Sequence, residues 1–125
     1  MDVAAIINSL NDAQREAVSA PPRSMLILAG AGSGKTRVLV HRIAWLIKVE
    51  HISPHNLLAV TFTNKAAKEM RTRVEDLLKI SARSMWIGTF HGLAHRLLRQ
   101  HNKEAKLPDT FQVIDSDDQL RLIKR

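Results

Sequence analysis

The sequence contains no cysteine and no tyrosine, and it has no long apolar run. The absence of cysteine excludes disulfide frameworks and metal sites built from thiolates. No apolar run approaches the roughly 18 residues of a membrane-spanning helix, and residues 1–10 lack the basic segment that opens a secretory signal. These absences favour a cytoplasmic protein.

Acidic side chains are also scarce. The chain has 12 Asp and Glu against 19 Lys and Arg, a formal net charge of +7 at pH 7. Such a balance favours polyanionic partners such as nucleic acid, although charge alone does not distinguish such a protein from a merely soluble basic one. The length of 125 residues fits one ordinary domain, and 45% hydrophobic residues suffice for a core.

Glycine occurs only five times, and three of these glycines lie close together at positions 30, 32 and 34. The apolar run 25–28 precedes them, and a helical pattern begins directly after Lys35-Thr36. A strand, a glycine-rich turn and a helix that opens on Lys-Thr are typical of a phosphate-binding loop. Ala29 stands where that pattern has its first glycine, and it is small enough to close the strand onto the turn.

The phosphate-binding hypothesis gives each residue of this loop a role. Backbone N–H groups would wrap phosphate oxygens, and the helix N-terminus would add its unpaired N–H groups. Lys35 would reach the β- and γ-phosphates, and the Thr36 hydroxyl would ligate Mg²⁺, so these two residues carry the predicted catalytic roles. The predicted binding residues of the loop are Ala29, Gly30, Ala31, Gly32, Ser33, Gly34, Lys35 and Thr36. The sequence therefore predicts binding of a nucleoside triphosphate.

Hydrophobic periodicity predicts an α/β fold. Strands are predicted at 25–28, 57–62 and 85–90, with helices between them, and this order favours parallel pairing with right-handed crossovers. In the helix after the loop, one side is predicted to be apolar (Val38, Leu39, Ile43, Leu46 and Ile47), and the other side carries Arg37, His41, Arg42 and Lys48. The third strand is predicted to break at His91-Gly92, before another helix. Ser116 to Gln119 reads as a capping box that opens a last helix, Gln119 to Arg125.

Two residues have more than one interpretation. Asn11 followed by Gln14 is a capping-box pattern, so Gln14 is either a helix cap or a reader of an adenine edge, and its spacing favours the cap. Asp115 follows two apolar residues, as a catalytic acid would, but a capping box stands directly behind it. We interpret Asp115 as part of a helix entry, which leaves the catalytic set for hydrolysis incomplete.

Four segments together resemble one family. Residues 10–18, 29–37, 61–67 and 88–92 are similar to motifs of superfamily 1 DNA helicases, in the order and spacing of the UvrD/Rep/PcrA family. The resemblance implies a RecA-like P-loop NTPase sheet with flanking helices. Residues 1–90 would be the first part of ATP-binding domain 1A, and residues 91–125 the start of a helical 1B insertion.

The resemblance also implies roles for individual residues. Gln14 matches the glutamine that reads adenine, which reverses the interpretation from spacing, and Arg37 matches an arginine near the nucleotide. The residues that match DNA-contacting motifs are Thr61, Phe62, Thr63, Asn64, Thr89, Phe90 and His91. Phe62 would offer a face to a base, while hydroxyl and amide groups hold phosphates without reading sequence. Without the resemblance, core packing would explain Phe62 and Phe90 equally well.

A protein of this family would use ATP and Mg²⁺ to unwind DNA with 3′ to 5′ polarity, acting at single strands and at junctions with duplex DNA. Its implied partners are mismatch- and excision-repair proteins near the nucleoid. We expect the Walker B acids and the arginine fingers to lie beyond Arg125, so that residues 1–125 alone neither unwind DNA nor hydrolyse much ATP. An open sheet edge would allow this piece to self-associate.

Two other classes of function stay open. A P-loop kinase or other nucleotide-dependent transferase could use the same loop on a metabolite, but it would need an acceptor site and a lid. A non-enzymatic basic module could bind nucleic acid with an affinity indifferent to ATP and Mg²⁺.

Overall fold

The computed structural model describes residues 3–30, 32, 34–114 and 116–124. The predictions for Ala31, Ser33 and Asp115 lie outside the described residues. The α-helices are α1 (Ala4–Ile7), α2 (Asp12–Ser19), α3 (Lys35–Lys48), α4 (Asn64–Leu78), α5 (Phe90–Gln100) and α6 (Ser116–Lys124). The strands are β1 (Leu58–Thr61) and β2 (Trp86–Thr89), and a 3₁₀ turn spans Pro54–Asn56. The chain divides into two compact units, Met1–Thr89 and Phe90–Arg125.

The first unit is a mixed α/β structure with a small parallel sheet. In the described part of the chain this sheet has two strands, and β1 pairs with β2 in a register that joins Leu58 to Trp86 and Thr61 to Thr89. Helix α4 connects the two strands and packs on both of them. The prediction of strands near 57–62 and 85–90, with a helix between them, is therefore confirmed.

Two helices of this unit, α2 and α4, begin at side-chain caps. The Asn11 side chain accepts a hydrogen bond from the Gln14 backbone N–H, and the Gln14 side chain accepts one from the Asn11 N–H, so the predicted capping box at α2 is confirmed. The Thr63 hydroxyl caps α4 by accepting from the Ala66 N–H at 3.1 Å. Lys79 ends α4 in the left-handed conformation, with φ of 56°.

One continuous apolar core holds the helices against each other and against the sheet. Its buried members are Ile6, Leu10, Val18, Val38, Val40, Ile43, Ala44, Met70, Val74, Leu78, Ala82, Met85 and Ile87. Trp45 packs against this cluster from the side. The predicted apolar face of α3 is wrong in one respect, because Val40 is buried whereas Leu39 is half exposed.

The predicted first strand, 25–28, is wrong. The structure has no regular secondary structure from Met25 to Leu28, and Leu26 and Leu28 are about 85% exposed. A strand exists only when a neighbour pairs with its backbone, and no described segment pairs with this run. The apolar character of residues 25–28 indicated a strand, but it could not show whether a neighbouring strand pairs with them.

The second unit consists of α5, a turn-rich segment and α6. The predicted break at His91-Gly92 is wrong, since α5 begins at Phe90 and continues through both residues. Arg99 holds the turn-rich segment, because its guanidinium donates to the carbonyls of Asp109 and Phe111 and lies 4.2 Å from the Phe111 ring centroid. Helix α6 begins at Ser116, three residues before the predicted start. Among the described residues, no helix is long and apolar enough to cross a bilayer.

Candidate nucleotide site and strand-end surface

A cavity of about 430 Å³ lies beside the glycine-rich loop. Its volume falls within the range of roughly 300–1,000 Å³ that is usual for small-molecule sites. Three segments wall it: helix α2, the stretch before the loop and the first turns of α3. The lining residues are Asn11, Ala13, Gln14, Ala17, Ile27, Leu28, Ala29, Gly30, Lys35, Val38 and Leu39. The structure thus brings Gln14, Ala29, Gly30 and Lys35, predicted from two separate motifs, to one cavity.

The loop depends on glycine for two separate reasons. Gly32 and Gly34 have φ of +75° and +83°, a conformation that side chains with a Cβ disfavour by about 1–2 kcal/mol. A Cβ on Gly34 would also lie only 2.9 Å from the Gln14 amide nitrogen. Gln14 therefore rests directly against the last glycine of the loop, which joins the start of α2 to the start of α3.

The start of α3 is arranged to receive an anion. Gly34 is its N-cap and supplies no side-chain hydrogen bond, so the N–H groups of the first turn have no side-chain cap. Lys35 is exposed, and it forms no ion pair with any residue that the structure describes. Thr36 follows at the second helical position, partly buried. An ammonium group and the positive end of a helix dipole therefore meet at the cavity wall.

Polar side chains of α3 donate hydrogen bonds to backbone carbonyls of the preceding segment. Arg37 donates to the Ser9 carbonyl at 3.0 Å, and the His41 Nδ1–H donates to the Ile6 carbonyl. Further along, Arg42 donates to the carbonyls of Val18, Ala20 and Pro21. Sequence analysis missed these contacts, because a side-chain donor to a distant carbonyl leaves no periodic signal. Partial burial lowers the pKa of Arg42 below its ordinary value, and the nearby Glu50 partly offsets this effect.

A second group of predicted residues lies where β1 and β2 end. Thr61 and Thr89 are register partners, and the Thr61 hydroxyl donates to the Thr63 carbonyl at 3.1 Å. Phe62, between Thr61 and Thr63, is 91% exposed, which excludes the interpretation that it packs in the core. Asn64 opens α4 directly afterwards and is exposed. None of Thr61 to Asn64 lines the cavity, so this group forms a separate strand-end surface.

The remaining predicted residues open the second unit. Phe90 is the first residue of α5 and is 63% exposed, and His91 beside it is exposed as well. Their predicted DNA contacts stay predictions. No group of three or more His, Asp or Glu in the described residues is arranged to hold a metal ion. The Mg²⁺ contact of Thr36 stays a prediction as well.

Comparison with known proteins identifies the family. The sequence profile of the UvrD/REP helicase N-terminal domain matches residues 10–125. The chain belongs to this family. DNA helicase II of Escherichia coli is 66% identical over 125 residues, and that of Haemophilus influenzae is 60% identical over 129 residues. The ATP-dependent DNA helicase PcrA of Bacillus subtilis is 48% identical over 119 residues, 95% of this chain.

This member of the UvrD/REP family covers a small part of its relatives. All of the chain aligns with the two DNA helicase II sequences but spans only 17% and 18% of their lengths, and it spans 16% of PcrA. The resemblance to the UvrD/Rep/PcrA family is confirmed. The RecA-like classification, the division into domains 1A and 1B and the roles of individual residues stay predictions.

Proposed function

We propose that this chain is the N-terminal, ATP- and single-strand-binding part of an ATP-dependent 3′ to 5′ DNA helicase of the UvrD type. The observation that carries the proposal is the cavity bounded by Gln14, Gly30 and Lys35 at the N-terminus of α3. The names of its relatives, DNA helicase II and ATP-dependent DNA helicase PcrA, support it. The first unit would then belong to a RecA-like domain 1A, and the second would begin the 1B insertion.

In this proposal the adenine base lies against α2 and the phosphates lie at the start of α3. Ala13, Ala17, Val38 and Leu39 offer the apolar surface that a base needs. Lys35 neutralises charge on the terminal phosphates, while the N–H groups of the first turn donate to phosphate oxygens. Gln14 already accepts from the Asn11 N–H through its carbonyl oxygen. That bond fixes the amide plane and turns its NH₂ group toward Gly34, at the edge of the cavity.

Mg²⁺ would neutralise charge on the phosphates, and it fits the loop in one respect. Thr36 is the second residue of the helix that Lys35 opens, where a P-loop hydroxyl ligand belongs. The residues described here supply no carboxylate cluster for it, so its other ligands would be phosphate oxygens and water. Hydrolysis also needs an acid at the end of a strand, whereas β1 and β2 both end in threonine.

The strand-end surface would hold the DNA. Phe62 offers an exposed ring on which an unpaired base can stack, and the start of α4 beside it favours a phosphate group. Such contacts are indifferent to base sequence, as a translocating enzyme requires. Unwinding, action in mismatch and excision repair, and a location at the nucleoid belong to this proposal for the whole protein.

The deciding experiment is ATPase activity of the whole protein, stimulated by oligo-dT, with and without Lys35→Ala. We expect the variant to lose the stimulated activity and to keep its thermal stability, because Lys35 is exposed and makes no ion pair with the described residues. Undiminished turnover would reject the assignment. Stimulation by small metabolites and not by oligo-dT would favour a P-loop kinase or transferase, and DNA affinity indifferent to ATP and Mg²⁺ would favour a basic binding module.

A further inference from the structure

Arg42 joins two walls of the cavity, α2 and α3, without lining the cavity itself. It belongs to α3, which is one wall. Its guanidinium donates to the Val18 carbonyl at 2.8 Å, at the end of α2, the second wall. It also donates to the carbonyls of Ala20 and Pro21, where the chain leaves α2 and runs toward the third wall, residues 27–30.

The α2–α3 pair is therefore fastened at both ends. At the cavity end Gln14 rests on Gly34, and Arg37 holds the Ser9 carbonyl. At the far end the fastening is Arg42. Among the described residues, it is the one charged side chain with a hydrogen bond to residues 18–21. A cation that donates to several carbonyls makes stronger hydrogen bonds than neutral donors make, and the planar fork of arginine fixes their directions.

We propose that Arg42 is a positioning residue for the base end of the nucleotide site. By clamping the end of α2 to α3, it sets the distance between the α2 wall, which carries Gln14 and Ala17, and the α3 wall, which carries Val38. The phosphate end is held by contacts of its own, since Gln14 rests on Gly34 there and Arg37 bonds the Ser9 carbonyl, so the loop keeps its place without Arg42. This inference rests on the proposed function, since it assigns the cavity to a nucleotide.

The test separates the two ends of the ligand. ATP and inorganic tripolyphosphate are titrated, each with Mg²⁺, into the whole protein and its Arg42→Gln variant. We expect the dissociation constant for ATP to rise about tenfold, as misplaced contacts to a ligand commonly do, and that for tripolyphosphate to stay within about twofold. Arg73→Gln is the matched control, since Arg73 pairs with Glu69 on the surface of α4 and lies outside this cavity.

Arg42→Lys keeps the positive charge but loses the planar guanidinium. It is the second variant in case Arg42→Gln does not fold. We expect it to weaken ATP binding to an intermediate degree and to leave tripolyphosphate binding unchanged. If Arg42→Lys lost affinity for ATP and for tripolyphosphate equally, the role of Arg42 would be merely structural and the inference would be overturned. The inference would also be overturned if both Arg42 variants bound ATP as tightly as Arg73→Gln does. If the unmodified protein binds neither ligand, the proposed function itself fails, and the positioning role fails with it.

Discussion

Thr61 and Thr89 are register partners in the parallel ladder, and each is the last residue of its strand. Because parallel strands end at the same edge of a sheet, the pair marks the edge at which ligands of α/β proteins usually bind. Thr61 adds a local constraint, since its hydroxyl donates to the Thr63 carbonyl, and Thr63 in turn caps α4. The backbone around Phe62 is thus fixed on both sides while its ring faces solvent.

Phe62→Ala should weaken binding of single-stranded DNA. Loss of one stacked base is worth about 1–3 kcal/mol, which is roughly a 5- to 150-fold rise in the dissociation constant. The folded state should be little affected, because the side chain is 91% exposed. Fluorescence anisotropy with labelled oligo-dT measures the affinity. Leu58→Ala, at the exposed start of the same strand, is the control, and equal affinities for the two variants would contradict a stacking role.

Gly34→Ala should destabilise the chain by about 1–2 kcal/mol from the left-handed backbone alone. The new methyl group would in addition press on the Gln14 amide, so we expect weaker ATP binding as well. Urea denaturation followed by circular dichroism gives the free energy of unfolding. Gly30→Ala is the stability control, since among the described residues no atom beyond its chain neighbours lies within 4 Å of a Cβ at that position, and its φ is not positive. Equal stability of the two variants would argue against the strained turn.

Asn11→Ala should lower the free energy of unfolding by about 1 kcal/mol, because it removes the side chain that caps α2. ATP binding should fall too, since the reciprocal bond that orients Gln14 belongs to the same capping box. Glu16→Ala, an exposed position of the same helix, should change stability by less than about 0.5 kcal/mol. A stability loss in Asn11→Ala no larger than that of the control would rule out an energetic role for the cap.

Patterns along the sequence predicted the local elements well and the long-range ones poorly. The capping box of α2, the period of α3 and α4 and the glycine loop are all short-range signals, and each element appears in the structure. The prediction of a strand at 25–28 is wrong because a strand requires a paired neighbour, and hydrophobic periodicity does not identify that neighbour. The partners of Arg37, His41 and Arg42 escaped prediction for a similar reason, since these side chains of α3 bond to carbonyls 21 to 35 residues earlier.

The candidate site shows the same division. Lys35 and the glycines follow from the loop motif, whereas the place of Gln14 against Gly34 depends on how α2 packs on α3. Spacing gave Gln14 two exclusive roles, a cap or an adenine reader. In the structure its oxygen makes the cap while its nitrogen lies at the cavity edge, so the first role does not exclude the second. Adenine reading stays a prediction.

Arg99→Ala should loosen the turn-rich segment of the second unit. The guanidinium bonds to Asp109 and Phe111 carbonyls are charge-assisted, so their loss should speed amide exchange at Leu107 and Phe111 by about 10- to 100-fold. Hydrogen exchange read by NMR measures it. Arg121→Ala, an exposed position of α6, should leave both amides unchanged. Equal exchange in the two variants would show that Arg99 does not hold the segment.

The 125-residue chain should bind ATP but hydrolyse it at least about 10³-fold more slowly than the whole protein. Neither β1 nor β2 ends in an acid, and missing transition-state groups cost factors of this size in phosphoryl transfer. Steady-state phosphate release with saturating oligo-dT compares the two proteins. Rapid turnover by the short chain would mean that its own residues complete the catalytic set.

The clamp made by Arg42 also bears on the order in which the chain folds. Helix α2 has eight residues, too few to persist alone in water, and its final carbonyls receive their donor from a residue 21 to 24 positions later. Those carbonyls can bond only to water until α3 has formed. We therefore expect a growing chain to gain α2 and α3 together, once Arg42 has been synthesised, and the glycine-rich loop between them to take shape in that same step.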